Sequence, residues 1–89
     1  MIEINLINGS FNREELKELL MDILISKINF HEKKTLSSLI IDGTEDENSN
    51  RRVNELKCEV SKFNEFINNL NTDKTKLKVT STVKIEIIE

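Results

Sequence analysis

Over residues 77–88 apolar and polar side chains alternate. Leu77, Val79, Ser81, Val83, Ile85 and Ile87 share one side, and Lys78, Thr80, Thr82, Lys84 and Glu86 share the other. A period of two over that length is the mark of a β-strand with one dry and one wet face. Such a strand cannot stand alone, because its backbone N–H and C=O groups need partners and its dry face needs a cover. The remainder of the chain has to supply both.

A partner is available at the other end. Ile2, Ile4 and Leu6 alternate with Glu3, Asn5 and Ile7, which predicts a short strand over about residues 1–7. Asn8-Gly9-Ser10 then reads as a turn, with Gly9 free to take a positive φ. Asn12 and Glu15 have the spacing of a capping box, and Phe11 and Leu16 that of a hydrophobic staple. These signals predict a helix over about residues 13–40. One apolar stripe on it is Leu20, Leu24, Ile28, His31, Thr35 and Leu39; a second, turned away from the first, is Leu16, Leu19, Ile23 and Phe30. Weak helix formers at Asn29 and Thr35-Leu36-Ser37-Ser38 predict fraying or a bend after His31.

Asp42-Gly43 breaks the pattern. Thr44 with Glu47 suggests a second capping box, with a later start near Ser49 as the alternative. Val53, Leu56, Val60, Phe63, Ile67 and Leu70 follow at spacings of three and four, a seam for packing against another helix over about residues 45–71. Asn68 to Asp73 ends it. The expected architecture is a single α+β domain over residues 1–89 of β-α-α-β order, an antiparallel helix hairpin packed on a two-stranded antiparallel sheet. The last strand would span about 40 Å and the first about 24 Å. The surplus strand predicts extension of the sheet by dimerisation. Candidate interaction residues are Leu16, Leu19, Ile23, Phe30 and His31 on the first helix, and Val83, Ile85 and Ile87 on the last strand.

Composition narrows the function. A formal charge of −3 disfavours a general nucleic-acid or anionic-membrane binder. With one cysteine there is no internal disulfide; no apolar run reaches a membrane span and no secretory leader is evident, so a cytoplasmic protein with no membrane partner is expected. His31-Glu32 begins the helical zinc signature, but Thr35 stands where the second His belongs, so no metal is expected. Cys58 has no CxxC partner and reads as a small semi-buried side chain. In the acidic run from Asp42 to Glu47, Gly43 comes second, which fails the EF-hand spacing. Asn8-Gly9-Ser10 matches a glycosylation sequon, but a turn is the simpler reading without a secretory signal. No phosphate-binding loop or nucleophile elbow is present, so neither a cofactor nor enzymatic activity is expected. Arg51, Arg52, Lys74, Lys76 and Lys78 are the candidate phosphate contacts of an alternative reading, a nucleic-acid-associated accessory factor, although nearby acidic residues dilute them.

Two segments resemble a known group of proteins. Lys27-Ile28-Asn29-Phe30-His31-Glu32-Lys33, an acidic run, then Arg52-Val53-Asn54-Glu55-Leu56-Lys57 resemble a family of small uncharacterised bacterial proteins. The resemblance implies strand-helix-helix-strand order with a His-Glu pair in the first helix, and no assigned activity. The favoured function is a non-catalytic protein–protein interaction or assembly module acting as a homodimer, with an unidentified protein partner.

Overall fold

The computed structural model describes residues 1–70 and 75–89. The elements are β1 (Ile2–Phe11), α1 (Arg13–Asp42), α2 (Glu47–Asn68) and β2 (Leu77–Ile85). β1 and β2 pair antiparallel in a two-stranded sheet, and the helix hairpin packs with it, giving the expected β-α-α-β fold.

β1 is longer than its sequence suggested. Asn8-Gly9-Ser10 is strand and not turn: Gly9 pairs with Val79, Ser10 with Lys78, and Phe11 with Leu77. The positive φ expected at Gly9 belongs to Gly43 instead, at 72°. Leu6 has no partner, because Asn5 pairs with Thr82 and Ile7 with the adjacent Ser81. This one-residue bulge shifts the strand's phase. Ile7 turns inward and is buried, whereas Leu6 is exposed. With β1 so extended and β2 ending at Ile85, the two strands match in length. The surplus of unpaired strand inferred from the sequence does not exist.

Asn12 caps α1 as predicted: its Oδ1 accepts from the Glu15 N–H at 2.8 Å, and the Asn12 N–H donates back to Glu15 Oε1 at 3.0 Å. The helix continues through Thr35 and Ser38 to Asp42 without the expected fraying, and closes at Gly43, whose N–H reaches Leu39 O at 3.1 Å. Asp46, and not Thr44, caps α2; its Oδ1 accepts from the Ser49 N–H at 3.1 Å. α2 ends at Asn68, before the predicted limit, and Asn71 lies outside the described residues.

The core is small. Ile7, Leu16, Val53, Leu56 and Ile67 are its buried apolar residues, joined by Ser49, and three of them come from the predicted α2 seam. The sheet is two-faced: Glu3–Lys84, Asn5–Thr82, Asn8–Thr80 and Ser10–Lys78 are opposed on the wet side. On the dry side, Gly9, Phe11, Leu77, Val79 and Ser81 are partly covered, while Ile2, Ile4, Val83 and Ile85 at the far end are exposed. The ribbon therefore runs out from under its cover. A molecule of 51 × 31 × 14 Å fits this, since α1 alone is about 45 Å long and a ten-residue strand about 33 Å.

Candidate assembly surface

α1 has thirty residues and α2 twenty-two, so they cannot cover one another fully. The first stripe of α1 faces α2: His31 meets Ser49, Thr35 Oγ1 donates to Asn50 Oδ1 at 3.3 Å, and Leu20 and Leu24 share a groove with Phe63 and Phe66. Leu39, Ile40 and Ile41 at the end of α1 are exposed.

The second stripe starts under cover and emerges from it. Leu16 is only 5% exposed, so its place among the candidate interaction residues is corrected: it belongs to the internal core. Leu19 and Ile23 are half-buried and Phe30 is 55% exposed. With Asp22, Ser26 and Lys27 they line an open groove of about 510 Å³ along one side of α1. The Lys27 ammonium lies 5.1 Å from the centre of the Phe30 ring. Val83 and Ile85 are exposed, as expected, and Ile87 lies beyond β2 at 86% exposure. Together with Ile2 and Ile4 they form a second apolar surface at the free end of the ribbon.

His31 also moves. It sits in the α1–α2 seam with its Nδ1 3.3 Å from Ser49 Oγ, and is not a free contact residue. Burial, then the charges of Lys27, Arg52 and Lys34, hold its imidazole below the ordinary 6.5, against the pull of Asp46. Asp46 itself is held below its ordinary range, first by the Ser49 N–H bond; burial opposes this, and Lys34 at 3.8 Å assists. A serine beside a histidine invites comparison with a nucleophile pair. Ser49 is 1% exposed, however, and leaves no room for a substrate carbonyl. Cys58 is exposed, correcting the semi-buried expectation. It lies about 13 Å further along α2 than Ser49, at 1.5 Å per residue, so His31 and Cys58 do not face one site. Among the described residues no three His, Cys, Asp or Glu side chains converge as metal ligands.

The basic residues do not gather. Arg51 pairs with Glu55 at 3.8 Å and with Asn48 Oδ1, while Arg52 pairs with the same Glu55. Lys76 and Lys78 are exposed on a different part of the chain, at the start of β2, where Lys78 is opposite Ser10, and Lys74 lies outside the described residues. No described helix is long and apolar enough to cross a membrane.

No protein-family model matches the chain, and neither the curated proteins nor the solved structures contain a match to it.

Proposed function

We propose that this chain is a small protein–protein assembly module that works as a homodimer and carries no catalytic chemistry of its own. One observation carries the reading. The chain exposes 7090 Å², whereas a folded monomer of 10.3 kDa exposes about 5,400 Å². The difference, about 1,700 Å², exceeds the ~800 Å² that each partner contributes to an ordinary stable interface. The radius of gyration points the same way, at 16.3 Å against about 12 Å for a compact domain of this length. Large apolar residues stand exposed on both parts of the molecule, from Phe30 on α1 to Val83 and Ile85 on the ribbon. The lone exposed thiol of Cys58 suits a reducing compartment, so this reading puts the module in the cytoplasm.

Sedimentation equilibrium from low to high micromolar concentration tests the proposal. The expected mass is twice 10.3 kDa. A mass of 10.3 kDa at every concentration overturns it. Salt-sensitive retention on DNA or RNA by the purified chain would move the reading toward nucleic acid.

A further inference from the structure

We propose that two copies pair antiparallel through β2, with Thr82 on the twofold axis, forming one four-stranded sheet of order β1-β2-β2-β1. The inference rests on the dimer reading above and specifies its interface.

A two-stranded sheet has two open edges, and among the described residues no backbone hydrogen bond outside the sheet ladder reaches either strand. The edges are not equivalent. β1 carries the bulge at Leu6, which twists and interrupts a strand and so protects it from further pairing. β2 has no bulge and no proline, and its dry-face positions from Leu77 to Ile85 carry no charge. The charges β2 does carry, Lys78 and Lys84, stand on its wet face, so the register must pair them favourably or leave them opposite neutral residues.

Sequence alternation then selects the register. Dry residues must oppose dry ones, so an axis between residues is excluded. An axis through Thr82 sets Lys78 against the partner's Glu86, twice by symmetry, and Leu77 against the partner's Ile87. An axis through Ser81 opposes Lys78 with the partner's Lys84, one through Thr80 opposes Lys76 with the partner's Lys84, and one through Lys84 opposes that residue with itself. An axis through Val83 sets Lys78 against the partner's Ile88, and one through Ile85 leaves residues 77–80 out of the pairing. Of these registers, the Thr82 one alone opposes Lys78 with an acidic residue and sets no like charges against each other; Glu86 and Ile87 lie just past β2 and join the ladder on pairing.

The geometry also addresses the bare ribbon. An axis normal to the sheet keeps both dry faces on the same side, and antiparallel pairing lays the exposed end of each ribbon alongside the covered half of the other. With the bulged β1 on both outer edges the sheet closes at four strands, an isologous dimer and not a fibre.

The test uses the full chain with Cys58→Ser and single cysteines at positions 80 to 84, treated with a short bismaleimide. Circular dichroism checks that each variant folds. Cross-linking should peak at Thr82→Cys. In parallel, Lys78→Glu should weaken the dimer about tenfold, and Lys78→Glu with Glu86→Lys should restore it to within about twofold. A dimer whose cross-linking peaks elsewhere or is absent, or that is indifferent to Lys78→Glu, overturns this interface while the dimer reading stands. In that case dissociation by Phe30→Asp would mark the α1 groove as the contact. A chain that stays monomeric removes both.

Discussion

Asn12 closes the first turn of α1 with both halves of a capping box, its side chain and its backbone N–H. Asn12→Ala removes the side-chain acceptor of the Glu15 N–H. The expected loss is about 1 kcal/mol of unfolding free energy, read from urea melts. His31 acts through its charge. The unfolded chain takes up a proton near 6.5, whereas the folded chain resists protonation to lower pH because the part-buried ring is desolvated and feels the positive charges of Lys27, Arg52 and Lys34. The stability due to neutral His31 is therefore complete above about pH 6.5, falls as the pH drops toward the folded value, and then levels off. Urea midpoints should decline across that window in the native chain. His31→Gln should flatten the decline, and a profile unchanged by the substitution would contradict the account. Asp46 adds a separate acid loss at lower pH, since its carboxyl is held down in the fold.

The elements show which signals a sequence carries and which it hides. Asn12 and Glu15 announced the start of α1 correctly because a helix cap is local, three residues of chemistry that need no distant partner. The α2 seam was legible for a similar reason: periodicity tells which face must be covered, and Val53, Leu56 and Ile67 are covered. β1 was misread because Gly9 is compatible with both turn and strand, and its choice depends on Val79, seventy residues away. A signal was present in the adjacent Leu6 and Ile7, where the alternation restarts through Gly9 to Phe11. The surface was harder. Leu16 and Phe30 lie on the same stripe, and only the position of the sheet decides that one is core and the other exposed. Two glycine substitutions follow from this correction. At Gly9 the backbone is extended and a new Cβ meets only the Phe11 ring at 3.6 Å, so Gly9→Ala should stabilise by up to about 0.5–1 kcal/mol. At Gly43, φ is 72°, so Gly43→Ala should cost about 1 kcal/mol although the space is open. Thermal melts of the two variants should move in opposite directions. Deleting Leu6 probes the bulge itself. The remaining pairs, Asn5 with Thr82 and Ile7 with Ser81, become continuous, so the fold should survive. The β1 edge loses its protection, and species larger than a dimer should then appear in sedimentation.

For the whole molecule the decisive ratio is core to surface. Five buried apolar residues among the described ones leave little to offset the conformational entropy lost on folding. Long α1 and the projecting ribbon make the imbalance worse, because each holds apolar residues that the chain's own elements do not cover. If a second copy covers them, folding and association become one equilibrium, and stability depends on protein concentration. For a dimer that unfolds to two free chains, a tenfold rise in concentration adds about 1.4 kcal/mol per dimer to the apparent stability. Urea melts at several concentrations of the native chain should therefore shift to higher midpoints as concentration rises. The same melts on Lys78→Glu should shift to lower midpoints at each concentration and recover in the double charge swap. Midpoints independent of concentration would mean that the small core suffices alone, and the exposed apolar ribbon would then have to be covered by something other than a twin.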